Sequence, residues 1–65
     1  MNIRVNGGNR STNSTTMEML LSELNLLPAQ VAVEHNQVVL FRHELANTPI
    51  RDGDQIEIIR VVAGG

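Results

Sequence analysis

The chain has no cysteine, no lysine, no tryptophan and no tyrosine, and Phe41 is its one phenyl ring. Without cysteine there is no disulfide framework, no thiolate metal site and no cysteine nucleophile. Without lysine, a chain that grew into polymers through isopeptide bonds would lack its usual attachment point. The five basic side chains other than histidine are all arginine (Arg4, Arg10, Arg42, Arg51 and Arg60), set against seven acidic residues for a net charge of -2. They are scattered, and a basic patch with stacking aromatics is what nucleic-acid binding needs; nucleic-acid partners are not expected. The apolar stretches are far too short to cross a bilayer, and Met1 leads into Ile3-Arg4-Val5 with no apolar leader. A soluble, cytoplasmic protein without membrane partners is expected. At 65 residues the chain makes one domain that hides roughly 60% of its unfolded surface, which leaves little material for a deep enzyme cleft.

What is present alternates. Residues 2–6 place Ile3 and Val5 on one face of a strand, and Asn6-Gly7-Gly8-Asn9 is a hairpin turn signal. The return strand is then expected in residues 10–14, which contain no aliphatic residue, so its pairing would rest on backbone bonds and Thr12. Thr15-Thr16-Met17-Glu18 fits a capping box in which Thr15 accepts from the Glu18 N–H. Met17, Leu20, Leu21 and Leu24 follow at i, i+3, i+4 and i+7, the apolar stripe of a helix that needs a sheet to cover it. Pro28 is expected to end that helix.

Two runs rich in β-branched residues, 31–35 and 38–41, flank Asn36-Gln37, a short turn between strands. Residues 42–50 read as a mixed loop. Asp52-Gly53-Asp54 is a tight-turn signal, and alternation resumes with Ile56 and Ile58 facing one way and Glu57, Ile59 and Val61 the other. Two layers, with the helix alone on one side of the sheet, is the simplest way for these faces to cover each other.

This order resembles the β-grasp, or ubiquitin-like, fold, and more narrowly the ThiS family of thiamine-biosynthesis sulfur carriers. The residues that carry the resemblance are Ile3-x-Val5-Asn6-Gly7, Thr16 before Leu20-Leu21-x-x-Leu24, Ala32-Val33-x-x-Asn36, Arg42, Asp52-Gly53-Asp54-x-Ile56-Glu57-Ile58 and the closing Val62-Ala63-Gly64-Gly65. It implies an α+β domain over residues 1–61, with a mixed sheet of four to five strands and one main helix on one face, followed by a flexible tail, 62–65. It further implies that an E1-like adenylating enzyme of the ThiF type uses ATP to adenylate the Gly65 carboxylate. A sulfur donor system then converts the adenylate to a thiocarboxylate, and a thiazole synthase of the ThiG type receives the sulfur. The carrier itself would be a monomer when free, would bind no cofactor or metal and would catalyse nothing. Val62, Ala63 and Gly64 would thread the partner's active site, where glycine's missing Cβ permits close approach to a nucleotide; four residues reach roughly 13–14 Å. The sequence departs from the family pattern at Phe41, where proline is expected, at Leu45, where an aromatic is common, and at His35, usually aliphatic.

Each site has a plainer reading. A terminal Gly-Gly alone is what many chain ends carry; directly after a final strand it is read as functional. Ile59, Val61 and Phe41 form a partner docking surface with Arg42, or they are single surface apolars, or a bulge turns them inward, and Arg42 pairs with a partner's acid or with a neighbouring carboxylate. Asp52-Gly53-Asp54 lacks the oxygen count and spacing of a calcium loop, and His35 and His43 have no third ligand at metal spacing. Two sister roles use the same tail: sulfur carriage to molybdopterin, and ubiquitin-like attachment to target proteins. A bare interaction domain with an incidental tail is the remaining alternative. The short length and the Ala32-Val33-x-x-Asn36 pattern favour the thiazole role.

Overall fold

The computed structural model describes residues 1–61; the expected threading tail, Val62, Ala63, Gly64 and Gly65, lies outside the described residues. The chain opens with β1 (Asn2–Val5) and β2 (Gly8–Ser11), antiparallel with Val5 opposite Gly8. Asn6 and Gly7 both have positive φ, 50° and 81°, the two-residue hairpin geometry that Asn-Gly favours. The turn uses only these two residues, so Gly8 is free to pair and the return strand begins before the expected residues 10–14.

The segment without aliphatics holds by polar bonds instead. Thr12 and Ser14 are buried, and their hydroxyls donate to Glu23 Oε1 at 2.6 and 2.8 Å while Arg10 Nε donates to Oε2 at 2.8 Å. One carboxylate at the end of the helix therefore ties down the strand after the hairpin. The Thr12 hydroxyl, then Ser14 and Arg10, hold the Glu23 carboxyl below its ordinary range.

The helix α1 (Met17–Glu23) starts one residue later than a Thr15 capping box would place it. Its cap is Thr16, in extended backbone, whose Oγ1 accepts from the Met19 N–H at 3.2 Å. Thr15 is occupied otherwise: its carbonyl accepts from the Ile50 N–H at 2.9 Å. The helix also ends before Pro28 acts. Asn25 has φ of 60°, and the N–H groups of Asn25 and Leu26 return to the carbonyls of Ser22 and Leu21. This is the left-handed cap that closes many helices, here with asparagine in place of glycine.

A 3-10 turn (Pro28–Gln30) leads into β3 (Val31–His35), and Asn36-Gln37, again both at positive φ, joins it to β4 (Val38–Leu40). Residues expected as a loop instead form a 3-10 helix (Arg42–Asn47). Leu45 is buried from it, and the Glu44 carboxylate reaches back to the Phe41 N–H at 2.8 Å. The smaller Leu45 thus does core work at the position where the family often places an aromatic. Last comes β5 (Gln55–Arg60).

The sheet has the order β2-β1-β5-β3-β4, with β5 parallel to β1 and antiparallel to β3. Helix α1 covers one face: Met17, Leu20 and Leu21 pack with Ile3, Val33, Leu45, Ile50, Ile56 and Ile58 into the core. Among the described residues no buried side-chain nitrogen or oxygen lacks a hydrogen-bond partner.

Glu23→Ala is expected to lower the unfolding free energy by about 1–3 kcal/mol at neutral pH, because two buried hydroxyls lose their acceptor. The folded carboxyl's pKa is depressed, so its contribution is complete above the unfolded value of about 4.3 and disappears as pH falls through the folded value. Urea unfolding of both proteins at neutral pH and at about pH 3 should show a deficit that narrows in acid.

Candidate partner interface and tail exit

Alternation along β5 turns Ile56 and Ile58 into the core and Gln55, Glu57 and Ile59 to the opposite face. Two asparagines, one from each hairpin turn, grip this strand. Asn6 Oδ1 accepts from the Ile58 N–H at 2.7 Å and its Nδ2 donates to the Ile58 carbonyl at 3.2 Å. Asn36 Oδ1 accepts from the Gln55 N–H at 2.9 Å, and the Asn36 N–H donates to the Gln55 carbonyl at 2.8 Å. Beyond the strand the Val61 N–H donates to the carbonyl of Gln30 at 2.8 Å. The point at which the chain departs for residue 62 is therefore held on the backbone of the 3-10 turn.

Asp54, at the start of β5, is held as firmly. Its carboxylate takes bonds from His35 Nε2 at 2.6 Å, the Arg51 N–H at 2.9 Å and Asn36 Nδ2 at 3.1 Å. An ionised carboxylate only accepts, so the shared proton belongs to His35. Burial pushes the Asp54 pKa up, and the three bonds outweigh it to leave the carboxyl below its ordinary range. His35 is accordingly a structural partner of the turn. Asp52 serves the same turn, accepting from the Asn2 N–H at 2.7 Å beside Gly53, whose φ is 86°. Among the described residues no group of three or more His, Cys, Asp or Glu is placed to hold a metal, and no helix is long and apolar enough to cross a membrane.

The residues expected to dock a partner come together in part. Phe41, Arg42 and Val61 line one groove of about 320 Å³ with Pro28, Val31 and Ala32 among its other walls. Phe41 and Val61 are 65% and 52% exposed, too open for core roles, and the Phe41 ring lies parallel to that of His43 with centroids 6.1 Å apart. Ile59, 57% exposed, sits outside this groove but directly opposite Ala32, so it extends the same apolar surface across β5. Arg42 is in neither of the ion pairs among the described residues, Arg10–Glu23 and His35–Asp54. A larger groove of about 540 Å³ lies at the far end of α1, lined by Glu18, Ser22, Asn25, Leu26, Leu27 and Pro28, and none of the expected docking residues reaches it.

Sequence reasoning passed over Ala32 and Val39 on this surface, and the gripping role of Asn6 and Asn36. Alternation alone would have turned Ala32 outward; the two asparagines carried a turn signal but no sign of what their side chains bind.

A mixed five-stranded sheet with one α-helix across a single face is the β-grasp, the ubiquitin-like class of fold. The crystal structure of a thiamine biosynthesis protein (ThiS) from Geobacter metallireducens superposes on it with a TM-score of 0.84 at 35% identity, covering all of both chains. The model of the ThiS family matches residues 3–65. The sulfur carrier protein ThiS of Thermus thermophilus is 31% identical over 61 residues, 94% of this chain and 95% of that protein; that of Escherichia coli is 38% identical over 50 residues, 77% and 76%. The chain belongs to the ThiS family. It is also 36% identical over its whole length to part of a thiazole synthase from Paramagnetospirillum magneticum, of which it spans 20%; a second thiazole synthase, from Magnetococcus marinus, matches over the same share.

Asn6→Gly keeps the positive φ of the turn without strain and removes only the grip on Ile58. It is expected to cost about 1–3 kcal/mol and to speed amide hydrogen exchange at Ile58 well beyond that at Ile3, measured by NMR.

Proposed function

We infer that this chain is a sulfur carrier for thiazole formation in thiamine biosynthesis, acting in the cytoplasm as a protein substrate and catalysing nothing itself. The observation that carries the reading is that the likeness to the family runs through the tail, to residue 65. A carboxylate is a poor electrophile. Attack of the Gly65 carboxylate on ATP, on an E1-like activating enzyme, would release pyrophosphate and leave an acyl adenylate; sulfur from a donor system would then displace AMP to give a thiocarboxylate. No cysteine in the carrier is needed for this, and none is present. ATP belongs to the activating enzyme.

The geometry suits a substrate that is presented to others. The Val61 N–H is anchored on Gln30, and residues 62–65, at roughly 3.3–3.6 Å each when extended, would enter the partner's site from that fixed point. Phe41, Arg42, Val61 and Ile59 would rest on the partner's surface around the entrance. A thiazole synthase is the proposed acceptor. The two relatives of that name contain a stretch like this chain within a longer protein, which supports carrier and acceptor acting as a pair.

Incubation with the activating enzyme, ATP and sulfide, followed by intact mass measurement, should show the gain for exchanging one oxygen for sulfur. Deleting Gly65 should abolish it while leaving the unfolding midpoint unchanged. A mass gain that survives the deletion, or none in the full chain, would sink the reading. Ile59→Asp is expected to weaken complex formation with the activating enzyme about tenfold or more, with an unchanged thermal midpoint, measured by calorimetry.

A further inference from the structure

The sheet face turned away from α1 carries an apolar row beside a mixed one. Ile59 lies opposite Ala32 in one, with Phe41 following β4 at its edge; Val39 lies opposite Glu34 in the next. Val39, Ile59 and Phe41 are each more than half exposed, and together they make a continuous patch of the kind that marks a protein interface.

Within this patch sits an unfavourable placement. Glu34 of β3 is directly opposite Glu57 of β5. The neighbouring pair, Val33 and Ile58, is buried against the helix, so alternation puts both glutamates on the outer face. Directly opposed residues have Cβ atoms about 4.5–5.5 Å apart, and like charges there repel. Neither glutamate is in an ion pair among the described residues. Arg4, the basic residue that shares this face through its register with Gln55, donates instead to the Gly7 carbonyl at 3.0 Å.

We propose that Glu34 and Glu57 together receive an arginine or lysine side chain of the activating enzyme, set among aliphatic side chains that cover Val39, Ala32 and Ile59. The proposal rests on the function inferred above and names what that partner must present. A cation between the two carboxylates turns their repulsion into charge-assisted bonds, and the apolar side chains beside it, Val39, Ala32 and Ile59, once covered, exclude the water that would otherwise screen them. Continuity selects the partner. Glu57, Ile59 and Val61 follow one another along the strand that leads to the tail, so the protein that draws the tail towards a nucleotide lies against them.

A purely local role for the pair has a different signature. Replacing either glutamate removes repulsion, so Glu34→Gln and Glu57→Gln should each keep or raise the thermal midpoint. If the pair receives a partner cation, each should nonetheless bind the activating enzyme about tenfold more weakly, with a shallower dependence of affinity on salt. Calorimetric titration at low and high salt reads both. Wild-type affinity and salt dependence in the two variants would overturn the proposal. Weakened binding that comes with a lowered midpoint and altered backbone amide shifts would also overturn it, by tracing the loss to the fold. If the wild-type chain is converted to the thiocarboxylate while the variants bind as it does, the cation seat alone fails. If the wild-type chain neither binds the activating enzyme nor gains sulfur, the inferred function fails and the seat with it.

Discussion

β5 is the last strand among the described residues and the middle strand of the sheet, and the other strands are joined into one fold through it. The hairpin β1–β2 lies on one side, the hairpin β3–β4 on the other, and neither touches the other within the sheet. A two-stranded hairpin alone is marginal in water. The sheet becomes stable when a segment some fifty residues downstream of β1 inserts between the two and its Ile56 and Ile58 complete the floor under α1. Each hairpin contributes a turn asparagine that reaches over and bonds the backbone of β5, Asn6 at Ile58 and Asn36 at Gln55. The same residues that allow the turns their positive φ thus lock the inserted strand on both sides.

Two carboxylate clusters secure what the strand ladder does not reach. Glu23 gathers Arg10, Thr12 and Ser14 and fastens the edge beyond β2 to the helix. Asp54 gathers His35, Asn36 and the Arg51 N–H and fixes the turn that feeds β5. Both carboxyls are held below their ordinary range, so both contribute when ionised and both lose that contribution in acid. The two clusters spend their acids on internal donors. Among the described residues Glu34 and Glu57 have no such donors, and they lie on the face that the clusters leave free.

Much of this was legible. The alternation in residues 2–6 and 55–58, the stripe Met17-Leu20-Leu21-Leu24, and the turn dipeptides Asn6-Gly7 and Asn36-Gln37 are local signals, and local signals survive into the fold. The β-grasp order followed from them. The misplacements share a physical cause, which is that side-chain hydrogen bonds are not periodic. Residues 10–14 carry no apolar pattern because Thr12 and Ser14 are buried by a carboxylate that comes from Glu23. Thr15 and Thr16 are equally good caps by composition; the pairing of Thr15 with Ile50, and of Thr16 with Pro49 as an isolated bridge, selects Thr16. Residues 42–47 show no helical stripe because a 3-10 helix of two turns needs only one inward residue, Leu45. Ile59 and Val61 were legible as exposed by parity, but Glu34 facing Glu57 depends on the register between β3 and β5, which no local signal specifies.

The proposed use of residues 62–65 as a short arm has a mechanical consequence. A group delivered to a reactive centre gains most when its approach is already oriented, and the anchor of Val61 on Gln30 fixes the point from which the proposed arm would start. Lengthening the arm would enlarge the volume its end explores and dilute it there. Shortening it would leave the carboxylate outside any pocket deeper than the arm's reach. Under the proposed function the body would dock close to the entrance, with the surface next to the anchor, where Phe41, Val61 and Ile59 are exposed. A free protein gains nothing in stability from exposed aliphatics beside two opposed glutamates, and the core, with its full complement of buried contacts, does not require them there. In the proposed function that arrangement would serve the protein that closes over this face while the tail is being used.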